Sequence, residues 1–297
     1  MRQLIFLIII MLVISSFSTV AKTTLDNKIS EKIESLNIND DTPIWEIGDY
    51  WTYDISAFKI ELNQTEQIIN LDLTWDSLKL EVKTITTDTY TVDITGKIQG
   101  SFSYDIGTGK RLSGNLYFNR FSGNMQVRKS DLAFKKCILK LKSIALLKEH
   151  PLSIPISLPI PLTFTLNLEN SVPRPLIDFP LFDGKMGLIT ESSISANITV
   201  ESIILKILNI ITPDIPPGIY FDYSMSIPEL FYNATIDNIT VKAGTFSAYN
   251  IVFYEGFIGS LFYAPTVGNV IKAQTEFSDS DMLNFKFHGE LKEYSYS

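Results

Sequence analysis

Apolar and polar residues alternate with a period of two along most of the chain after Ile44. Residues 90–94 and 98–106 show this alternation, with β-branched and aromatic residues on one set of positions. Because successive side chains of a β-strand point to opposite faces, the pattern predicts strands with one buried and one solvent-facing side. Turn residues at 107–110 and 122–124 separate the runs and predict hairpins. We therefore predict an all-β fold, an antiparallel meander that forms curved or half-barrel sheets.

The middle of the chain is less regular. Residues 132–147 permit a helix or a strand, and the alternation at 139–142 favours a strand. Seven prolines follow between residues 151 and 180. Because proline cannot donate a hydrogen bond to a β-ladder, we predict an extended edge or crossing segment there and no central strand. The β pattern then resumes and predicts strands at 194–200, 220–227, 236–241, 245–254, 257–263, 269–277 and 283–291.

The N-terminal segment has the layout of a secretory signal peptide. Arg2 precedes the apolar run 4–14, and the small residues Thr-Val-Ala at 19–21 form a cleavage site. We predict a signal peptide over 1–21, with the alternative that 4–21 remains as an uncleaved membrane tether. Residues 22–43 predict a short helix followed by a polar linker. The protein is then secreted or held at the extracellular face of a membrane.

The remaining residues, 44–297, form the predicted β-rich body, either one domain or two lobes at 44–180 and 181–297. The net charge of −8 disfavours nucleic acid and anionic lipid headgroups as partners. Cys137 is the single cysteine, so no intramolecular disulfide forms, and a small buried thiol is the simplest interpretation. His150 and His288 are the only histidines, and neither accompanies a nucleophile motif. We predict no catalytic residues, no cofactor and no metal site.

Two sets of residues are candidates for modification or binding. Trp45, Trp51 and Tyr53 belong to the densest aromatic cluster, 45–53, and form either a platform for a ligand or part of the core. In an exported chain, an Asn-x-Thr triplet is a candidate glycosylation acceptor, and chance triplets are the alternative. The four candidate acceptors are Asn63, Asn197, Asn233 and Asn238.

Three local motifs carry a resemblance. The Trp-x-x-Gly-Asp-x-Trp-x-Tyr opening at 45–53, the Ala-Gly-Thr-Phe strand at 243–246 and the Tyr-Ala-Pro-x-x-Gly turn at 263–268 resemble a group of exported β-rich proteins of archaea and bacteria. This group is largely of unknown function and is distantly similar to the LolA and LppX class of lipoprotein carriers. The resemblance implies a curved antiparallel half-barrel. It transfers no functional residue, and the chain has Lys22 where many such proteins carry a lipid-anchoring Cys.

These observations lead to one expected function and two alternatives. A curved sheet with a wide apolar face either fills with its own side chains or holds a ligand. We expect an exported, non-enzymatic cell-surface protein that binds an apolar or amphipathic ligand in the concave face of the sheet. The first alternative is a structural or adhesive surface module with a filled core. The second is an extracellular hydrolase with a pair of carboxylates.

Overall fold

The computed structural model describes residues 42–64, 67–105, 111–149, 158–211, 218–227, 229–254, 259–279 and 283–297. The predicted leader and the short helix predicted after it lie outside these residues. The predicted all-β fold is confirmed, since the described residues contain one antiparallel sheet of 14 strands. The strands are β1 (Tyr50–Gln64), β2 (Gln67–Ile85), β3 (Thr89–Asp105), β4 (Arg111–Arg128), β5 (Phe134–Glu149), β6 (Leu158–Asn170), β7 (Lys185–Ile189), β8 (Ser192–Glu201), β9 (Gly218–Ile227), β10 (Leu230–Val241), β11 (Gly244–Tyr254), β12 (Gly259–Ala264), β13 (Asn269–Asp279) and β14 (Leu283–Ser295).

Two short helices complete the described structure. Helix α1 spans Ile203–Ile211, and a 3₁₀ turn spans Pro265–Val267. No helix among the residues described has the length and apolar content needed to cross a membrane.

The order of strands across the sheet is β7-β10-β11-β12-β13-β14-β1-β2-β3-β4-β5-β6-β8-β9. Strands β1 to β6 form one meander and β10 to β14 another, and the two join where β14 pairs with β1. Strands β8 and β9 extend the first meander beyond β6, whereas β7 pairs with β10 at the opposite edge. The strands before and after residues 180 and 181, where the two-lobe alternative divides the chain, therefore belong to one sheet.

The sheet has one apolar face, and the side chains on this face pack against one another. Trp51, Tyr53, Ile55, Phe58 and Ile60 of β1 are all buried, while alternate residues of the strand are polar. The other long strands repeat the pattern, and the buried side chains form one cluster. Among the described residues no second sheet covers this face, although the segment 171–184 between β6 and β7 adds Ile177, Phe179 and Leu181 to its buried cluster. A single sheet can bury an apolar face only by curling around it, so this face is concave.

The two ends of the curled sheet differ. We define the closed end by Trp51, Val82, Tyr90, Val127 and Phe134, which lie near the strand ends on that side and are almost fully buried. The open end is the opposite one, where β1, β3 and β8 end and β2, β4 and β6 begin.

The edge strand β7 approaches β8, the neighbour of the other edge strand β9, at the closed end. Ile189 ends β7 and Ser192 begins β8, so only about 11 Å of extended chain can separate these two strands. Arg174 donates hydrogen bonds to the carbonyls of Ile189 and Thr190 and fixes this link. We call the boundary between β7 and the β8–β9 pair the seam. Within the described chain, no strand pairing crosses the seam.

The predicted turn at 122–124 is wrong, because β4 continues through these residues. Gly123 lies on the concave face, opposite Ile94 on one side and Leu139 on the other. A Cβ atom at Gly123 would lie 2.3 Å from the Ile138 carbonyl oxygen and 2.5 Å from a Leu139 methyl carbon. The glycine therefore permits a close approach of bent strands rather than a chain reversal.

The prediction that the proline-rich segment forms no central strand is wrong for β6, which pairs with both β5 and β8. Pro159 and Pro161 pair only with β5, because β8 ends at Glu201, opposite Thr163. Their missing N–H groups therefore cost no ladder bond to β8. The favoured strand assignment within 132–147 is confirmed by β5.

Candidate functional site

The aromatic residues of the opening motif bind the turn near the C-terminus. The Trp45 and Trp51 indole N–H groups donate to the carbonyl oxygens of Gly268 and Val267 at 3.0 and 2.8 Å. The Tyr53 hydroxyl donates to the Val270 carbonyl oxygen at 2.8 Å. The opening motif at 45–53 and the Tyr-Ala-Pro-x-x-Gly turn are thus in direct contact, although more than 200 residues separate them in the chain.

This contact places Trp45, Trp51 and Tyr53 in the core, with 1%, 0% and 1% of their surfaces exposed. The two indole rings pack with centroids 4.9 Å apart, and Tyr90 packs against Trp45 at 5.2 Å. Burial raises the pKa of the Tyr53 hydroxyl well above its usual value. The structure therefore places these three side chains in the core, which was the alternative to a ligand platform. No face of their rings is open to a ligand.

Several apolar side chains on the concave face of β2, β3, β5 and β6 are only half-buried. In β3, Val92 is fully buried, Ile98 is nearly so and Phe102 is only half-buried. In β6, Leu168 is fully buried, Phe164 is half-buried, and Ile160, nearer the open end, is buried again. The incomplete cover is therefore confined to parts of these strands, while Ile60 of β1 stays buried near the open end.

The half-buried residues form a surface that we call the trough. Its walls are β2–β3 on one side and β5–β6 on the other, with the bent β4 between them. Phe58 packs edge-on against the Trp75 ring at 5.1 Å, and Phe118 packs against Phe164 at 5.6 Å. The trough residues are Leu71, Trp75, Phe102, Leu141, Leu162 and Phe164.

One polar group lies inside the trough wall. Ser143 is opposite Phe118 and Leu162, so its side chain is on the concave face. It is 4% exposed, and its Oγ has no hydrogen-bond partner among the described residues. A buried hydroxyl without a partner costs about 1–3 kcal/mol, so a ligand oxygen that binds here recovers that energy. The sequence analysis missed Ser143, although a polar residue on an inward position of an alternating strand was the available signal.

A second depression lies on the opposite, polar face of the sheet. It is an open groove of about 450 Å³ across β5, β6, β8 and β9. Its lining includes Lys136, Asn167, Glu169, Asn197 and Asp222. Leu168 and Ala196 are the apolar residues among its lining, which is less apolar surface than an acyl chain or other apolar ligand needs.

The four candidate glycosylation acceptors occupy different surroundings. Asn63 lies in β1 near the open end. Asn197 is exposed in the polar groove, and its side-chain amide donates to an Asp222 carboxylate oxygen at 2.5 Å. Asn238 is exposed in the part of β10 beyond its pairing with β7. Asn233 pairs with both β7 and β11, and its side-chain oxygen is buried.

One histidine is among the described residues. His288 Nδ1 lies 2.7 Å from the Ser56 hydroxyl. Burial and the nearby Lys272 lower the pKa of His288, with Glu290 opposing them. No carboxylate hydrogen-bonds to this pair within the described ranges, so the contact lacks the third member of a catalytic triad.

The chain was compared with family models, with curated proteins and with solved structures, and none of them matches. The resemblance of its motifs to exported β-rich proteins therefore stays a prediction. The trough and Ser143 are the observations on which a function can be argued.

Proposed function

We propose that this protein is exported and binds an apolar or amphipathic ligand in the trough, without catalysing a reaction. The observation that carries the proposal is the set of half-buried apolar side chains on β2, β3, β5 and β6, on a concave face whose other apolar side chains are mostly buried. Incompletely covered apolar side chains gain about 25 cal/mol for each Å² that a ligand removes from water. An elongated apolar group that lies along the trough supplies this cover.

Ser143 supports an amphipathic ligand over a pure hydrocarbon. Its unpartnered hydroxyl lies between the apolar Phe118 and Leu162 positions. A ligand oxygen at this place forms a hydrogen bond worth roughly 0.5–1.5 kcal/mol. A fatty acid or another acyl lipid combines the apolar length and the oxygen atoms that such a site binds.

Export is supported by the sequence of residues 1–21, with a charged residue, an apolar run and a small-residue cleavage site. Outside the cytoplasm, an acyl chain has no aqueous solubility of its own and needs either a membrane or a protein. In this proposal, cleavage after Ala21 releases the carrier, and retention of 4–21 keeps it tethered.

The three tryptophans permit a direct test. Trp75 lies in the trough, whereas Trp45 and Trp51 are buried at the closed end. We expect a fatty acid brominated along its acyl chain to quench the Trp75 part of the emission in the full-length protein. A titration with the unbrominated fatty acid controls for effects of binding that do not involve bromine.

The Trp75→Phe variant is the matched control, because it keeps an aromatic ring in the trough and both closed-end tryptophans. We expect quenching to disappear in this variant. Quenching that persists in Trp75→Phe would place the ligand elsewhere, and saturating brominated fatty acid without any quenching would refute the proposal.

One observation favours the alternative of a surface module held by protein contacts. Four large apolar side chains are exposed on the outer face of β7, β10 and β11, and register pairs bring them together. These residues are Met186, Leu188, Phe231 and Tyr254. If the quenching test fails, this patch becomes the best-supported interaction surface of the described chain.

A further inference from the structure

Helix α1 carries an apolar stripe that the described protein leaves uncovered. Seven of its nine residues are apolar, and Ile203, Ile207 and Ile210 are 73%, 51% and 81% exposed. The spacing i, i+4, i+7 places these three side chains on one face. On the inner side, Ile204 packs against the core, and its N–H donates to the Ser202 hydroxyl at 3.2 Å. The stripe is therefore held outward by a helix that is fixed to the body.

Further apolar surface accompanies α1 on the same side of the molecule. Tyr220, near the start of β9, is 63% exposed, and its hydroxyl lies 3.5 Å from a Glu201 carboxylate oxygen. Tyr117 and Ile144 are also exposed and lie opposite each other in the β4–β5 pair. Tyrosine with an apolar ring and a polar tip is typical of the boundary between a membrane and water.

Cationic side chains lie next to this apolar surface. Lys140 and Lys142 are exposed on the outer face of β5, and neither has an ion-pair partner in the described ranges. Lys142 is opposite Thr163, which in turn is opposite Glu201 at the end of β8. Lys206 adds a third lysine within α1 itself, and its Nζ lies 3.8 Å from a Glu201 carboxylate oxygen. The chain as a whole has a net charge of −8, so this grouping is local and departs from the average surface.

We infer that α1 and its surroundings dock on an anionic lipid bilayer, with Ile203, Ile207 and Ile210 inserted and the lysines at the headgroups. An interfacial helix buries its apolar face about 5–10 Å into the boundary, and each nearby lysine adds about 1 kcal/mol on an anionic surface. A second copy of the chain fits less well. Stable protein interfaces bury about 800 Å² on each partner, and three isoleucine side chains supply only a fraction of that area.

The docking surface adjoins the proposed ligand site. Helix α1 contacts β6, the strand that contributes Leu162 and Phe164 to the trough. The inference rests on the proposed function only in naming the bilayer as the source of the ligand. Docking brings the open end, and not the closed end, to the membrane.

The single cysteine makes a labelling experiment selective. Cys137 is fully buried and burial raises the pKa of its thiol, so it reacts slowly with thiol reagents. An environment-sensitive dye attached to Ile210→Cys in the full-length protein reports on the stripe. We expect a blue shift with vesicles of about three parts phosphatidylcholine to one part phosphatidylglycerol, and a smaller shift at about 1 M salt.

The matched control is the same dye on Ile47→Cys, which is 68% exposed in the turn before β1 at the closed end. We expect no shift there. Equal shifts at both positions would mean binding through another segment such as 4–21, and no shift at Ile210 would mean no docking. A blue shift without vesicles would refute the bilayer as partner: one that grows with protein concentration indicates a second copy, and one that does not indicates the chain's own apolar segment.

This result is independent of the tryptophan quenching. Quenching of Trp75 without a dye shift at Ile210 would sustain the ligand site and refute docking. A dye shift without quenching would sustain docking and refute the ligand site.

Discussion

Buried tryptophan and tyrosine side chains at the closed end have two roles. They fill the apolar core, and they donate hydrogen bonds to backbone carbonyl oxygens. The carbonyl oxygens of Val267 and Gly268 accept from Trp51 and Trp45, which satisfies polar groups of a turn that is buried beside them. Asp49 adds a further link, because its Oδ1 accepts from the Ser297 hydroxyl at 3.1 Å. At this scale, a few polar atoms join the beginning and the end of the β-rich body.

The Trp51→Phe substitution measures one of these bonds. It removes the donor to the Val267 carbonyl oxygen and leaves a smaller ring in a fully buried site. We expect the free energy of unfolding, from urea titration followed by circular dichroism, to fall by roughly 2–4 kcal/mol. Trp75→Phe is the comparison, with an expected loss below about 1.5 kcal/mol at a half-buried site. Equal losses in both variants would contradict a special role for the Trp51 hydrogen bond.

Sequence reasoning at the residue level identified the aromatic cluster but not its partner. Trp51 and Val267 are 216 positions apart, and no local pattern indicates which carbonyl an indole will meet. Ser143 was missed for a related reason, since a hydroxyl's lack of a partner is a property of the packed structure. Alternation gives the face of a residue and does not give its contacts.

Strand curvature is set by individual residues within long, continuous elements. Strand β4 has 18 residues and passes Gly123 without a turn, and its register with β5 shifts between Phe118 and Arg120. Glycine and the register irregularity both allow a strand to bend sharply. Strand β6 begins with prolines where it has only one neighbour. Glycine and proline predict an interruption of a strand in simple sequence rules. Here glycine lies within a bent strand, and proline lies at the start of one.

Gly123→Ala tests this account of curvature. The added methyl group would meet the Ile138 carbonyl oxygen and a Leu139 methyl carbon well inside contact distance. We expect a loss of about 1–3 kcal/mol in the free energy of unfolding. Ser122→Ala, at an exposed position of the same strand, is expected to change it by less than about 0.5 kcal/mol. A neutral effect of Gly123→Ala would show that β4 and β5 can separate there without cost.

The element type was predictable because period-two alternation survives wherever one face is buried. Strand ends were not predictable at Gly123 or at Pro159, since both depend on a neighbouring strand. The triplet Ser-Gly-Asn at 122–124 is typical of a turn when no neighbouring strand packs against it. The position of β7 was equally unpredictable, because no local pattern indicates that its five residues pair with β10 at the edge opposite β9.

Across the whole molecule, charged side chains connect strands that are distant in the chain. The Asp54 carboxylate of β1 accepts from Lys242 at 2.8 Å and from the Ser77 N–H at 3.1 Å, and Lys292 lies 3.4 Å away. Beside them the Ala243 N–H donates to the Leu291 carbonyl oxygen at 3.1 Å. The turn between β10 and β11 is thus fastened to β14 and β1, which partly closes the second meander into a ring.

This network predicts a pH dependence of stability. Partial burial alone would raise the pKa of Asp54, but hydrogen bonds from Lys242 and Ser77 outweigh it and lower the pKa below the usual 3.8. The ionised carboxylate therefore stabilises the fold above pH 3.8, and this contribution is lost as the pH falls through the lowered pKa. We expect Asp54→Asn to lower the free energy of unfolding, measured by urea titration, by up to about 1 kcal/mol at pH 7, and to have little effect near pH 2.

Asp72→Asn is the control for Asp54→Asn. Asp72 pairs with Lys59 at 2.8 Å on an exposed face of a single hairpin, so its loss affects no long-range connection. We expect a smaller change at pH 7 than for Asp54→Asn. A difference between wild type and Asp54→Asn that is the same at pH 2 and pH 7 would exclude the carboxylate charge as its cause.

The seam gives the open end a mechanical property. Residues 190 and 191 join the edge strand β7 covalently to β8, the neighbour of the other edge strand β9, at the closed end, and no described strand pairing crosses the seam. The circumference of the closed end is therefore fixed by the chain, while that of the open end can increase without breaking a ladder hydrogen bond. The capacity of the concave face can therefore adjust at the open end to the thickness of a bound ligand, while the closed end keeps a constant width.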